Sequence, residues 1–175
     1  MAERTGGRDE VDGLVAAWRQ QRPELDVAPM EVLSRVSRLA RHLDRQRSAA
    51  FRGHDLETWE FDVLAALRRA GAPYQLSPGQ LLRSTMVTSG TMTNRVDRLE
   101  SRKLVARENH PEDRRGVLVR LTARGKQTVD AALCDLLRAE EEILVGLSAL
   151  ERSRLADALR VLLLPYEEDM TGQAP

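Results

Sequence analysis

The chain has 175 residues, of which 42% are hydrophobic, 31% charged and only 3% aromatic, so its core must consist mainly of leucine, valine and alanine. Its single cysteine, Cys134, excludes an intrachain disulfide and a cysteine-based zinc site, and we expect no metal or other cofactor. The polar N-terminus does not resemble a signal peptide, and no apolar run approaches the length of about 18 residues that a membrane span needs. We therefore predict a soluble cytoplasmic protein with no membrane contact.

The formal net charge is zero, but the charges are unevenly distributed along the chain. Residues 77–126 contain 11 Lys and Arg against 5 Asp and Glu, whereas residues 127–175 contain 4 against 10. Clustered positive charge attracts the phosphates of nucleic acids. The segment 77–126 is therefore where we expect contact with DNA.

The first predicted helix covers residues 9–21, where apolar side chains recur at helical spacing and Trp18 is the largest of them. Pro23 follows directly and favours a break in the helix. We therefore assign residues 1–28 to an N-terminal tail and an extra helix that precedes the main fold.

Two further helices are predicted before the basic segment. A strongly amphipathic helix begins near Pro29, a favourable first helical position, and is stopped by Gly53. A third helix runs from about residue 57 to residue 70, and Gly71 marks its end. Within this third helix, Asp62 is a carboxylate among apolar neighbours.

Residues 57–121 are predicted to form a winged helix-turn-helix. A short helix begins at Ser77, and residues 84–87 form a turn before a second helix, for which Thr88 or Ser89 is the expected N-cap. One side of the second helix is apolar, at Met92, Val96 and Leu99. Another side carries hydrogen-bond donors, at Thr91, Asn94, Arg95 and Arg98. A helix with these two sides is suited to entering a major groove.

Two β-prone runs follow the second helix, at residues 104–107 and 117–121. They flank the sequence HPEDRRG, whose proline and glycine mark a loop and whose arginines, Arg114 and Arg115, lie at its tip. We predict a two-stranded hairpin, called the wing below. Helix, turn, helix and wing in this order predict DNA binding.

The outer helices are more apolar than a single copy of this fold can cover. Thr122 caps a long helix after the wing, and Ser148 begins a last helix with Pro165 near its end. We assign residues 29–56 and 122–175 to a helical dimerisation region and expect a symmetric homodimer, the alternative being a monomer with a helical cap. The second helix of the helix-turn-helix in each subunit would then enter a major groove, and the two grooves would lie roughly 34 Å apart on a pseudo-palindromic operator.

Other functions are less consistent with the sequence. The three histidines are scattered, and no nucleophile elbow, dinucleotide-binding motif or phosphate loop is present, so we expect no enzymatic activity. Redox regulation would depend on Cys134, for which we predict a buried and unreactive position in the helix after the wing. A partner-binding module that does not bind DNA is a further alternative, which the clustered positive charge disfavours.

The order of these parts and several motifs resemble the MarR family of bacterial transcription regulators. The motifs are LSPGQL at 76–81, TNRVDRLE at 93–100, LVAR at 104–107, PEDRRG at 111–116 and VRLTARG at 119–125. The resemblance covers roughly residues 30–165. It implies an obligate dimer with intertwined terminal helices, usually a repressor, that binds double-stranded operator DNA.

The resemblance also implies roles for individual residues. It places Thr91, Asn94 and Arg95 against bases, and Arg98 against a phosphate, with Ser89 at the start of the same helix. In the wing, Arg114 or Arg115 would enter the minor groove and Asp113 would orient one of them. The sequence does not decide between these two arginines.

A narrower resemblance is to the urate-responsive branch of the family. The residues that match this branch are Trp18, Asp62, Arg95 and Arg107. The match implies a site for a small planar anion, such as urate or the tricarboxylate trans-aconitate. Arg107 would bind the anion and pair with Asp62 in the free protein, while Trp18 would form an apolar wall. The alternative interpretation gives these residues purely structural or phosphate-binding roles.

Overall fold

The computed structural model of the chain describes residues 7–85, 89–109 and 116–171. None of the described helices is long and apolar enough to cross a lipid bilayer. The described residues form seven α-helices and three β-strands, in the order α1 (Glu10–Gln21), α2 (Ala28–Arg52), α3 (Thr58–Arg69), β1 (Gln75–Leu76), α4 (Pro78–Thr85), α5 (Ser89–Ser101), β2 (Val105–Asn109), β3 (Val117–Leu121), α6 (Ala123–Leu144) and α7 (Ala149–Thr171).

Helix α1 is the predicted extra helix, and it packs against α2. Asp9 caps its N-terminus by accepting hydrogen bonds from two backbone N–H groups of the first turn. Val11 and Val15 are buried on its inner side. The guanidinium of Arg35 on α2 donates to Asp9 at 2.8 Å and to Asp12 at 2.8 Å. Apolar burial and this ion-pair cluster together attach α1 to the main fold.

The main core lies around α3, whose inner residues from Glu60 to Leu67 are almost all buried. At the end of α2, the ring of Phe51 stacks on that of Phe61 with ring centroids 4.1 Å apart. Helix α5 contributes its predicted apolar side, since Met92, Val96 and Leu99 are all buried. The expected apolar side of this helix is therefore confirmed, and it fixes which side of α5 faces away from the core.

A three-stranded antiparallel sheet follows α5, with strand order β1, β3, β2. The predicted hairpin is present as β2 and β3, which place Arg107 opposite Val119. Strand β1 pairs with the other edge of β3, with Gln75 opposite Arg120. The sequence did not predict β1, because two residues are too few to show an alternating pattern.

Helix α7 contains Pro165 in its C-terminal part, as expected, and ends at Thr171. One expectation for α6 differs from the structure. The expectation of a buried Cys134 is wrong, since the thiol is exposed in the single chain. The buried side of α6 includes Ala132 and Leu136, and Cys134 lies two residues, or about 200° around the helix, from each. It therefore faces away from the core.

Gly125, in the first turn of α6, provides a stability test of this packing. A Cβ atom there would lie 2.0 Å from the backbone oxygen of Leu104, whereas one at Gly13 in α1 would meet nothing within 4 Å. We expect Gly125→Ala to lower the free energy of unfolding by about 2 kcal/mol or more. Gly13→Ala should raise it by roughly 0.5–1 kcal/mol, as usual inside a helix. Urea unfolding of the two variants measures both, and equal effects would contradict the close approach at Gly125.

Candidate functional site

The candidate site is built on the outer side of α5. Because Met92, Val96 and Leu99 face the core, the helical period leaves Thr91 and Asn94 exposed on the other side. Arg98 is also exposed and Arg95 half-buried. The predicted donor side of this helix is thus accessible, and its backbone is supported by the buried side.

The start of α3 holds two arginines of α5. Arg98 donates to Glu57 at 2.5 Å, and its guanidinium carbon lies 4.8 Å from the centroid of the Trp59 ring. The guanidinium carbon of Arg95 lies 5.3 Å from the same ring. Trp59 also donates its indole N–H to Glu57 at 2.7 Å. We call Glu57, Trp59, Arg95 and Arg98 the arginine cradle.

The charges of the arginine cradle are mutually stabilised. The hydrogen bond from Trp59, followed by that from Arg98, holds the pKa of the Glu57 carboxyl below its usual value. A guanidinium over an indole face is attracted by the negative charge of the ring face. The free chain therefore already provides partners for the cations that the sequence assigns to DNA.

Arg102, which directly follows α5, binds a buried carboxylate next to the arginine cradle. Arg102 donates to Glu60 at 2.6 Å and to Asp55 at 2.7 Å. Glu60 is only 1% exposed, and its Oε2 atom also accepts from the backbone N–H of Glu57 at 2.9 Å. Its other oxygen, Oε1, is buried and has no hydrogen-bond partner among the residues that the structure describes. This corner ties α5 to the start of α3 and leaves one acceptor free.

The predicted ion pair between Asp62 and Arg107 is wrong for this chain. Arg107, on β2, donates to Glu100 at 2.5 Å and also to Asp97, both on α5. Asp62 instead lies 3.7 Å from Arg47 of α2. The sequence alone did not show that two carboxylates on α5 are closer to Arg107 than Asp62 is. Their i, i+3 spacing places both on the side of α5 that faces the wing.

The four residues of the predicted effector site are only partly brought together. Asp62 and Arg95 are close enough for Arg95 to lower the pKa of Asp62 against the larger effect of burial. Trp18 lies on α1, is 43% exposed, and neighbours the ion pair between Arg19 and Glu31. Within the single chain, the described contacts join neither Trp18 nor Arg107 to Asp62.

A cleft of about 540 Å³ lies where α2 meets the start of α3. It is lined by Ser48, Arg52, Leu56, Glu57, Thr58, Trp59 and Asp62. A smaller cavity of about 180 Å³ shares part of this lining and includes Glu60 and Arg102. The sequence did not predict the contact between Trp59 and α5. A tryptophan two residues after an acidic helix cap was the available signal.

Several predicted residues cannot be placed. Asp113, Arg114 and Arg115 of the wing tip lie outside the described residues, as does Thr88. Ser89 is the first residue of α5, but its side chain is likewise outside the description. Among the residues described, no group of three or more His, Cys, Asp or Glu could hold a metal ion.

Comparisons with known proteins agree on one family. A sequence model of the MarR family matches residues 54–116. The chain is 38% identical over 146 residues to the HTH-type transcriptional regulator PecS of Dickeya dadantii, covering 83% of this chain and 88% of PecS.

Solved structures show the same fold. A mutant MarR from E. coli complexed with operator DNA aligns with a TM-score of 0.65 and 27% identity, over 79% of this chain and 99% of that one. Bordetella bronchiseptica BpsR, whose DNA binding is regulated by 6-hydroxynicotinic acid, aligns with a TM-score of 0.56 and 30% identity, over 73% and 98%. The fold is thus the predicted winged helix-turn-helix, mainly α with a small β wing, and these relatives are regulators of DNA binding or transcription.

The half-buried Asp62 predicts a pH dependence of stability. Burial raises its pKa above the ordinary 3.8, although Arg47, Arg95 and Arg69 oppose the shift. Folding then favours the protonated form of Asp62. Its stabilising contribution to the free energy of unfolding is complete below pH 3.8 and is lost as the pH rises through the higher folded pKa. We expect Asp62→Asn to be more stable than the wild type at pH 7 and to lose this advantage in acid.

Asp9 is a control for Asp62, because its pKa is shifted in the opposite direction. Its hydrogen bonds with Arg35 lower its pKa, so its stabilisation is present above pH 3.8 and is lost as the pH falls through the lower folded pKa. Asp9→Asn, which keeps a capping side chain, should therefore be less stable than the wild type at pH 7. Urea unfolding at fixed protein concentration, at pH 7 and in acid, measures both variants. The same sign for both would contradict the assignment.

Proposed function

Because the chain belongs to the MarR family of transcription regulators, we propose that it binds a pseudo-palindromic operator as a homodimer and is released by a small planar anion. We propose that it represses transcription and that it acts in the cytoplasm. The observation that carries the proposal is the exposed donor side of α5 within the most basic segment of the chain.

The proposed DNA contacts follow from the orientation of α5. Thr91, Asn94 and Arg95 are assigned to base edges, since a major groove admits one helix and presents donors and acceptors to it. Arg98, further along the helix, is assigned to a phosphate. Ser89 lies at the helix start, and Asp113, Arg114 and Arg115 of the wing tip are assigned to the minor groove. These assignments come from the sequence and the family.

The proposed homodimer is supported by apolar side chains that the single chain leaves uncovered. Val32 and Leu33 on α2 are 54% and 57% exposed, Leu137 on α6 is 55% exposed, and Leu163 on α7 is 55% exposed. Apolar surface of this extent, on three helices, is typical of an interface between subunits. We propose a second copy of this chain as its partner, because a two-fold dimer presents two copies of α5 to one operator.

The proposed effector site is the cleft at Asp62, near Arg95. Asp62 and Arg95 belong to the predicted set. Trp59, which lines the cleft, contacts Arg95 on α5, the helix that we propose to bind DNA. Arg107 is already paired with Asp97 and Glu100, so its proposed role requires an anion to displace a carboxylate. Trp18 contributes only if a second copy brings it to the cleft. The regulation of BpsR by 6-hydroxynicotinic acid, a planar aromatic acid, supports this class of ligand.

DNA binding is tested with the upstream region of the protein's own gene. We expect Arg98→Ala to weaken binding and to reduce the slope of log affinity against log salt by about one, the value for one phosphate contact. Asn94→Ala should reduce sequence preference by about 1–3 kcal/mol at one base pair. Arg138→Ala, which removes the same charge from α6, is the control for Arg98→Ala. Fluorescence anisotropy at several salt concentrations gives these values, and no binding at low salt would refute the proposal.

The homodimer is tested by analytical ultracentrifugation. We expect the wild type to sediment with twice the 19.7 kDa mass of one chain. Leu163→Glu should shift the protein towards the monomer, because it places a charge in the proposed apolar interface. Val117→Glu, which replaces an exposed apolar residue of β3, should leave the mass unchanged. A wild-type monomer at micromolar concentration would contradict the proposal.

The effector response is tested on the protein–DNA complex with urate, trans-aconitate and 6-hydroxynicotinate. We expect at least one of these anions to weaken DNA binding, and Arg107→Ala to change the concentration required. Lack of any response to all three would contradict the proposed class of ligand. Release by peroxide that is lost in Cys134→Ser would instead favour redox regulation through the exposed thiol.

A further inference from the structure

Trp59 lines the cleft at Asp62 and also contacts two arginines of α5. Its ring lines the cleft that also contains Asp62. The same ring lies 5.3 Å and 4.8 Å from the guanidinium carbons of Arg95 and Arg98 on α5. The side chain is half-buried, and its N–H is fixed by Glu57 at 2.7 Å. It is thus held in one orientation between the cleft and the DNA-binding helix.

We propose that Trp59 is the aromatic wall of the effector cleft and the residue through which a bound ligand acts on Arg95 and Arg98. The inference rests on the proposed effector response and adds the residue that couples it to DNA. It also adds the groups that would recognise the ligand. Neither Trp59 nor these groups belongs to the set that the sequence assigned to the effector.

The chemistry of the cleft defines the ligand. A flat ring can stack on the exposed part of the indole of Trp59. Arg52 lines both the cleft and the smaller cavity. Its guanidinium has no hydrogen-bond or ion-pair partner among the described residues and is available to an anionic group. Glu60 lines the smaller cavity and has an unsatisfied oxygen, which an N–H or O–H group would complete. These groups together select a planar anion that also carries a hydrogen-bond donor.

Coupling to DNA follows from competition for the same guanidinium groups. In the free protein Arg98 is bound by Glu57 and the Trp59 ring, and a DNA phosphate must take it from them. An anion stacked on Trp59 adds negative charge beside Arg95 and Arg98, and it holds both cations towards the cleft. Ligand and DNA therefore oppose each other. By thermodynamic linkage, each must weaken the other's binding by the same factor.

The first experiment uses DNA alone and follows the fluorescence of Trp59. The chain has only two tryptophans, so Trp18→Phe reports Trp59 and Trp59→Phe reports Trp18. We expect saturating operator DNA to change the emission of the Trp18→Phe protein, because Arg98 leaves the ring. The Trp59→Phe protein should show no comparable change. Unchanged Trp59 emission at saturating DNA would overturn the coupling, whatever the ligand.

The second experiment measures the coupling factor, defined as the ratio of DNA dissociation constants with and without saturating urate or 6-hydroxynicotinate. We expect a factor of roughly 5–150 in the wild type, as for typical allosteric pairs. Trp59→Leu, which removes the ring, should bring it close to 1, and Trp59→Phe, which keeps a ring, should retain part of it. Because the factor is a ratio within one variant, altered basal DNA affinity does not affect it. A wild-type factor in folded Trp59→Leu would overturn the proposal.

A charge control tests the recognition of the anion. Arg52→Gln should weaken urate binding, measured by calorimetry, at least several-fold. Arg45→Gln removes the same charge from the same helix outside both cavities and should bind urate as the wild type does. Equal effects of the two variants would refute the role of Arg52 in the site.

The experiments separate this inference from the proposed function. If the wild type binds DNA but responds to neither anion, the effector response fails, and the emission of Trp59 with DNA still decides whether it is coupled to α5. If the wild type responds and Trp59→Leu responds equally, the effector response stands and the role of Trp59 is refuted. If Trp59→Leu does not fold, as judged by circular dichroism, Trp59→Phe and the emission experiment decide the question.

Discussion

Contacts between the start of α3 and the arginines in and directly after α5 fix the position of the helix that we propose to bind DNA. Arg98 and Arg102 each pair with a carboxylate of α3 or its cap, and Arg95 and Arg98 lie against Trp59. The pair of Arg98 and Glu57 is exposed and alone contributes little to stability, whereas the carboxylate of Glu60 is buried. Arg95 and Arg98, the cations that we propose to bind DNA, are thus already bound within the free protein. DNA affinity is then a difference between two sets of contacts.

A second set of ion pairs joins α5 to the wing. Arg107 of β2 donates hydrogen bonds to Asp97 and Glu100 of α5. These hydrogen bonds, of which the one to Asp97 has the larger effect, raise the pKa of Arg107 above its usual value. A displacement at the start of α3 would therefore affect both α5 and the wing. In this arrangement Arg107 connects β2 to α5 and has no described contact with Asp62.

Much of the fold follows from the sequence because its signals are local. Helical spacing, Thr122 as a cap and Gly71 as a stop predicted the helices, and Gly71 does adopt the left-handed conformation, with φ of 78°. The candidate site was less predictable, because it depends on contacts between distant residues. Burial of one side of α5 was evident from periodicity, whereas the pairing of Arg107 and the position of Trp59 depend on how α3, α5 and β2 meet. The spacing of residues along the chain does not specify how these three elements pack together.

We propose that Glu57 competes with DNA for Arg98, and the DNA affinity of Glu57→Gln tests this competition. Asp55→Asn is the matched control, because it removes one negative charge from the same surface and leaves the pair of Glu57 and Arg98 intact. We predict that Glu57→Gln binds the operator a few-fold more tightly than both the wild type and Asp55→Asn at the same salt concentration. Equal or weaker binding by Glu57→Gln would contradict the claim.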